Sequence, residues 1–154
     1  MGKVAAVCIG EKKGEKKKEV GDAYAIAALG IEKDAHAEGG DRQVSLLMAE
    51  SIDMLRKSGV QVPYGGFAEN IVTEGVDLVS LRPGDTIRIG KSCVLKVTKI
   101  GKECHSPCWI AESAGRCIMP EEGVFCTVEA TGRITKGDEL FTARSGGKEK
   151  KDGM

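Results

Sequence analysis

The sequence predicts a mainly β protein, folded as a closed or nearly closed β-barrel with a few short helices. Three observations support this prediction. Beyond residue 67 the chain is a series of short β-prone segments separated by turn signals. Only one segment of the chain has apolar residues at clear helical spacing. Glycine, with 21 of 154 residues, is frequent where turns are expected. Short strands, few helices and glycine-rich turns together favour a barrel.

The first part of the chain is predicted to contain a strand, a basic loop and a helix. Residues 3–9 form a short β-prone run, and the glycine-interrupted, mostly basic segment 11–19 is predicted to be a loop. In residues 47–57 the apolar positions recur at helical spacing, which predicts a helix. Ser45 is a candidate for its N-terminal cap, and Gly59 supplies a stop.

The second part of the chain is predicted to be four strands and a tail. The strands are residues 86–89, 94–100, 124–130 and 139–142. A turn at Arg82-Pro-Gly-Asp85 precedes them. Leu95 and Val97 alternate with polar residues, which is typical of a half-buried strand. The tail after residue 143 is rich in glycine and lysine and is predicted to be disordered. We therefore expect one domain, at residues 1–143.

Charge and hydropathy limit the classes of partner. Basic and acidic side chains number 23 each, so no overall field attracts the protein to nucleic acid or to an anionic membrane. The sequence has no signal-peptide pattern at its start and no run near the ~20 apolar residues that a membrane span needs. The expected location is the cytosol. In that reducing compartment, clustered cysteines indicate metal binding or thiol chemistry more than disulfides.

The cysteines are concentrated after the strand that is predicted to end at residue 100. Of six cysteines, four lie there: Cys104, Cys108, Cys117 and Cys126. Cys104 has Lys102 and His105 as neighbours, and a nearby cation lowers the pKa of a thiol and raises its reactivity. The alternative is a buried cysteine that acts as a small apolar residue. That alternative is favoured for Cys8 and Cys93, which lie inside apolar runs.

Two segments contain residues that could bind an anion. Lys12, Lys13 and Lys16 could bind a ligand phosphate, although charge runs are often solvated linkers. In residues 34–47, small residues and paired glycines allow the backbone to approach a ligand closely. Arg42 is the anion partner expected in that segment, because its guanidinium matches phosphate or carboxylate geometry. A structural salt bridge is an equal alternative for Arg42.

The chain resembles the MOSC domain family, named for the C-terminal part of molybdenum cofactor sulfurases. The likeness covers nearly everything except the tail and is closest to the small stand-alone forms. Its motifs, in order, are the Lys-Lys-Gly loop at 12–14, Asp34-Ala-His-Ala37, Arg42-Gln-Val-Ser-Leu-Leu47, Phe67-Ala-Glu-Asn-Ile71, Leu81-Arg-Pro-Gly-Asp85, Ile89-Gly90, Gly101-Lys-Glu-Cys-His105 and Cys117-Ile-Met-Pro-Glu-Glu-Gly-Val-Phe125. The resemblance implies a β-barrel that binds molybdenum cofactor, or carries sulfur toward it, through Cys104.

The resemblance also implies roles for other residues. A thiolate at Cys104 is a soft ligand suited to molybdenum, and it could equally carry a persulfide. His105 could orient the bound ligand. The candidate ligands for the phosphate of molybdopterin are Lys12, Lys13, Lys16 and Arg42. Glu69 and Asn70 could hydrogen-bond the pterin ring or, equally, form a structural loop network.

A histidine is a further candidate for binding the ligand. His36 is a candidate ligand-binding residue, although a lone histidine in a glycine-rich loop more often only hydrogen-bonds. Related sequences often carry a histidine immediately before the Arg-Gln-Val-Ser motif, whereas this chain has Asp41. A ligand or proton-shuttle role is therefore not carried over to position 41.

Three functional hypotheses follow. The favoured one is a carrier of cofactor or sulfur, with a cysteine desulfurase or a molybdoenzyme as protein partner. Pyridoxal phosphate is not expected as a cofactor in a chain of this length. The second is a molybdenum-dependent reductase of N-hydroxylated compounds that needs an external electron donor. The third is a structural zinc or iron–sulfur site built from Cys104, His105, Cys108, Cys117 and Cys126. Only Cys104 and Cys108 have the spacing of a zinc knuckle, which disfavours the third.

Overall fold

The fold consists almost entirely of strands. A computed structural model describes residues 2–10, 17–34, 43–57, 59, 63–66, 69–78, 80–100 and 123–144. In chain order the elements are β1 (Gly2–Ile9), β2 (Lys18–Val20), β3 (Asp22–Ile26), β4 (Gly30–Ile31), β5 (Val44–Met48), α1 (Ala49–Lys57), β6 (Ile71–Glu74), β7 (Thr86–Ile89), β8 (Cys93–Ile100), β9 (Val124–Ala130), β10 (Gly132–Thr135) and β11 (Glu139–Ala143). The mainly β prediction is therefore confirmed.

Seven of the strands close into a barrel. Their order around the ring is β11-β7-β8-β9-β5-β6-β1, and the ring closes where β1 pairs with β11. The closing register pairs Gly2 with Leu140 and Lys3 with Glu139. All neighbours in the ring are antiparallel except β5 and β6. β2 pairs with β1 at the side of the ring, and β10, β3 and β4 form a separate three-stranded sheet.

Apolar residues on both faces of the barrel wall are buried. Leu46 and Leu47 are consecutive in β5, so they point to opposite faces of the wall. Leu46 lies in the interior cluster, whereas Leu47 packs in a second cluster with Ile52 of α1. The helix thus covers the outside of β5 and β6, and this explains why β5 is apolar without alternation.

The start of the helix differs from the prediction. α1 begins at Ala49, whereas Leu47 and Met48 belong to β5 and Ser45 lies inside that strand. Ser45 is therefore not the helix cap. The error has a physical cause: a strand buried on both faces presents a continuous apolar run, which cannot be told from a buried helical turn by periodicity. The predicted stop is confirmed, because the Gly59 N–H bonds the Arg56 carbonyl and Gly59 has a φ of 102°.

The predicted strands of the second part are confirmed. β7 and β9 have the predicted bounds, β8 begins one residue earlier, and β11 ends one residue later. The predicted turn before β7 is present, since the Asp85 N–H bonds the Arg82 carbonyl at 3.0 Å. The short strands β2, β3, β4, β6 and β10 were not predicted. Within the described ranges, no helix has the length and apolar character to cross a membrane.

Candidate functional site

The candidate site residues divide into two groups. Glu69 and Asn70 belong to the described part of the chain. The others lie outside the described residues: Lys12, Lys13, Lys16, His36, Arg42, Cys104 and His105. The structure therefore describes the strand ends from which the segments 11–16, 35–42 and 101–122 depart.

A buried ion pair joins two of these departure points. The Lys17 ammonium lies 2.7 Å and 2.9 Å from the two carboxylate oxygens of Asp34. Only 1% and 0% of these two side chains is exposed. The Gly10 N–H also bonds Oδ1 of Asp34, at 2.9 Å. Gly10 and Lys17 flank segment 11–16, and Asp34 precedes segment 35–42, so one carboxylate holds both ends of the first segment beside the start of the second.

Glu69 supports this pair indirectly. Its fully buried carboxylate accepts the Gly65 N–H at 2.8 Å. The Gly65 carbonyl in turn accepts the Lys17 N–H at 2.8 Å. Gly65 has a φ of 89°, and a Cβ there would overlap the Lys17 carbonyl oxygen, so the close approach requires glycine. Glu69 therefore positions the turn against which the backbone of Lys17 is held.

Asn70 joins the ends of three strands. Its Oδ1 accepts the Ser45 N–H at 3.1 Å, and its Nδ2 donates to the Cys8 carbonyl at 3.1 Å. Its own backbone carbonyl accepts the Cys8 N–H at 2.6 Å. β6 begins at the next residue, Ile71. The oxygen and the nitrogen of the Asn70 side-chain amide are thus both hydrogen-bonded inside the barrel wall. The structural-network alternative accounts for these contacts of Asn70 and for the Gly65 contact of Glu69; a pterin contact by either stays a prediction.

Segment 101–122, which contains Cys104, begins at one end of a row of residues that pair across neighbouring strands. This row runs across five strands: Val7, Ile71, Leu46, Val124 and Ile100. Segment 101–122 follows the last residue of this row and returns to β9 beside it. β8 runs in the same direction as β5, whereas β1 runs in the opposite direction. The strand register alone therefore does not bring segment 101–122 together with segment 11–16.

The three described cysteines are packing residues. Cys8, Cys93 and Cys126 are free and buried. Burial raises the pKa of the Cys8 thiol to about 12, with Glu69 and Glu19 raising it further and Lys17 opposing them. Burial alone raises the pKa of Cys93 to about 12. Cys8 and Cys93 also lie in the two buried apolar clusters, so the packing prediction for both is confirmed.

The burial of Cys126 argues against the hypothesis of a structural metal site. This thiol lies fully buried in the apolar barrel interior, and burial followed by the neighbouring Cys93 raises its pKa. A thiol of raised pKa does not readily give the thiolate that zinc or an iron–sulfur cluster requires. Among the residues that the structure describes, no group of three or more His, Cys, Asp or Glu is placed to hold a metal ion.

Sequence reasoning did not identify two buried polar residues that hold strand ends, Lys17 and Gln43. Lys17 lies between Lys16 and Lys18, and nothing in that run distinguishes the buried lysine from its neighbours. The Gln43 side chain accepts the Val128 N–H at 2.9 Å, and the Gln43 N–H bonds the Cys126 carbonyl at 3.1 Å. Gln43 thus fixes the start of β5 against β9. Its place in the Arg42-Gln-Val-Ser motif was the available signal.

The family is decided by a match over most of the chain. The family model for the MOSC domain matches residues 33–141. The chain belongs to the MOSC domain family. The match includes Asp34, Glu69, Asn70 and Cys104 but begins after β4, so it does not include the lysines of segment 11–16.

Several solved structures share the fold of this chain. The YuaD protein from Bacillus subtilis superposes with a TM-score of 0.77 at 20% identity, covering 93% of this chain and 96% of that one. YiiM from Geobacillus stearothermophilus gives a TM-score of 0.69 at 17% identity, covering 94% and 76%. YiiM from Escherichia coli gives 0.61 at 18% identity, covering 92% and 69%. At such identities the likeness concerns the fold. No curated protein matches the sequence significantly.

Proposed function

We propose that this MOSC domain holds molybdenum cofactor, or a sulfane sulfur destined for it, on Cys104 and delivers it to a molybdoenzyme. The observation that carries the proposal is the MOSC match, which spans Cys104 and His105. MOSC domains are associated with molybdenum cofactor. The buried, neutral thiols of Cys8, Cys93 and Cys126 add support, because they leave the reactive role to cysteines of segment 101–122.

The chemistry of the available donors suits the cofactor. Cys104 would supply a soft thiolate to molybdenum, with Lys102 and His105 favouring the charged form. The cofactor's phosphate would be held by the cations of segments 11–16 and 35–42, namely Lys12, Lys13, Lys16 and Arg42, with His36 as a further hydrogen-bonding group. Glu69 and Asn70 would act mainly by fixing the strand ends around the site. When bound, the cofactor would supply the metal and its dithiolene sulfur chemistry.

In the sulfur-carrier form of the proposal, Cys104 receives sulfur from a cysteine desulfurase. The Cys104 thiolate attacks the outer sulfur of the donor's persulfide. One S–S bond forms on Cys104, one S–S bond breaks, and the donor cysteine leaves as a thiolate, so the exchange needs no outside oxidant or reductant. This exchange uses free thiols, which a reducing compartment maintains. We therefore propose a cytoplasmic location. Residues 1–143 would act as one domain.

Retention of molybdenum and pterin tests the proposal. The purified protein is mixed anaerobically with molybdenum cofactor, free ligand is removed, and both components are quantified for wild type, Cys104→Ser and Cys117→Ser. We expect wild type and Cys117→Ser to retain cofactor. Cys104→Ser should retain at least about tenfold less molybdenum and pterin than wild type, because it lacks the soft metal ligand. Cys117→Ser is the matched control, since it removes another thiol from the same segment.

A second arm covers the sulfur cargo. Each protein is incubated with a cysteine desulfurase and cysteine, and persulfide is located by peptide mass spectrometry. Persulfide on Cys104 without cofactor retention would assign the sulfur-carrier form. Equal retention by wild type and Cys104→Ser, with no persulfide on Cys104, would contradict the proposal.

A further inference from the structure

We propose that the outer face of strands β11, β7 and β8, here called the cationic face, docks an acidic segment of a protein partner. Six residues define this face: Phe141, Ala143, Arg88, Thr86, Val94 and Lys96. The inference goes beyond the proposed function and does not depend on the chemistry of Cys104.

The strand register places these side chains on one face of the barrel wall. Phe141 pairs with Arg88, and Arg88 pairs with Val94. Lys96 lies two residues along β8 from Val94, so it points to the same side of the wall. The residues beside these four in sequence lie in the interior cluster: Ile87, Ile89, Cys93, Leu95, Val97 and Leu140. The four side chains therefore point outward.

The cationic face has the composition of a protein interface. Phe141 is 46% exposed, although an aromatic ring gains free energy when it leaves water. Arg88, beside it, is exposed as well. Aromatic residues and arginine are enriched in protein–protein interfaces and at their energetic centres. Because α1 covers β5 and β6, a different part of the wall, it does not supply this ring with a partner.

The charges of the cationic face specify the partner. Arg88 and Lys96 are diagonal neighbours across β7 and β8, which places their Cβ atoms about 7 Å apart. Within the part of the chain that the structure describes, neither of these two cations forms an ion pair. Like charges at this spacing repel each other, and a carboxylate between them would be attracted to both. The face is therefore suited to bind an acid.

The acids at the border of the cationic face are directed to other groups. Glu139 of β11 lies opposite Lys3 of β1. Glu129 of β9 accepts a hydrogen bond from a neighbouring threonine hydroxyl at 3.2 Å. The centre of the face keeps two cations beside an exposed ring. Its complement is a peptide segment with carboxylates next to an apolar side chain.

A peptide titration tests the proposal. One probe is the synthetic peptide acetyl-Glu-Asp-Phe-Glu-Leu-Asp-amide, and the other has lysine in place of each acid. Each is titrated into the isotope-labelled full chain, and the amide chemical shifts are followed by NMR. We expect the acidic peptide alone to bind and to shift amides of β11, β7 and β8. This binding should weaken as salt is added, because exposed charges are screened.

Variants of the cationic face separate its charges from its ring. Arg88→Glu/Lys96→Glu should weaken binding of the acidic peptide at least about tenfold, because two attractions become two repulsions. Phe141→Ser keeps both charges and should weaken binding about fivefold, because the apolar anchor is lost. The matched control is Lys18→Glu/Lys57→Glu, which reverses two exposed cations on β2 and α1 and should bind as wild type does. Phe141→Ser keeps the test decisive if the charge-reversed variant does not fold.

Several results would overturn the proposal. One is the absence of binding of the acidic peptide to wild type, and another is equal binding of the acidic and basic peptides. Unchanged affinity in Arg88→Glu/Lys96→Glu would also contradict it. Binding of single-stranded RNA or of phosphatidylserine vesicles, without binding of the acidic peptide, would assign these cations to another anion. Self-association that Phe141→Ser abolishes, again without peptide binding, would assign the face to a second copy of the chain. Each result leaves the proposed function of Cys104 standing.

Discussion

Thr73 has the one buried side-chain polar atom without a hydrogen-bond partner among the residues that the structure describes. It is fully buried on β6 and shares the face of Ile71, which packs in the barrel interior. A buried hydroxyl without a partner has lost its hydrogen bonds to water and gained none in exchange.

Replacing this hydroxyl should stabilise the protein. We expect Thr73→Val to raise the free energy of unfolding by about 1 kcal/mol, because the desolvated hydroxyl is removed. Thr98→Val is the matched control: the Thr98 hydroxyl donates to the Phe125 carbonyl at 3.0 Å, and its loss should lower the free energy by about 1 kcal/mol. Urea denaturation measures both. Equal destabilisation by the two variants would show that Thr73 has a partner.

At the scale of elements, the turn at residues 63–66 holds the backbone of Lys17, the residue before β2. Gly65 links the buried Glu69 carboxylate to the backbone of Lys17. Its left-handed backbone and the absence of a Cβ are both required by that contact.

A methyl group at this turn should be poorly tolerated. We expect Gly65→Ala to lower the free energy of unfolding by about 2–3 kcal/mol, because it adds backbone strain and overlap with the Lys17 carbonyl. Gly21→Ala is the control, since a Cβ at Gly21 meets nothing within 4 Å; it should leave stability within about 1 kcal/mol of wild type. Similar melting temperatures for both variants would contradict this description of the turn.

Element boundaries show what the sequence could and could not predict. The alternation of Leu95 and Val97 with polar residues identified β8, because one face of that part of the strand is buried and the other is partly exposed. Leu47 and Met48 of β5 were read as the start of the helix, because α1 covers the outer face of this strand and removes the alternation. The three-residue β2 and the two-residue β4 are too short to give a pattern of their own.

At the scale of the whole molecule, barrel closure and the buried pair depend on contacts between residues far apart in sequence. β1 pairs with β11 across nearly the full chain, and no local pattern encodes that pairing. The barrel was predicted from the count of short strands and from family resemblance. Lys17 could not be distinguished from its neighbours, because its buried partner Asp34 comes from another sheet.

The central claim is that the chemistry of this MOSC domain takes place on Cys104 and not on the thiols of the barrel. The pKa values of Cys8 and Cys93, raised to about 12, mean that their reactive thiolate forms are negligible near pH 7. A thiol activated by Lys102 and His105 should instead ionise below the ordinary value of about 8.5.

The most direct test is iodoacetamide alkylation of the native protein from about pH 6 to about pH 9, mapped by peptide mass spectrometry. We predict that Cys104 reacts fastest, with a midpoint below about pH 8, and that Cys8, Cys93 and Cys126 stay unmodified until the protein is unfolded. Native alkylation of a barrel cysteine ahead of Cys104, or a Cys104 rate no higher than that of Cys117, would contradict the account.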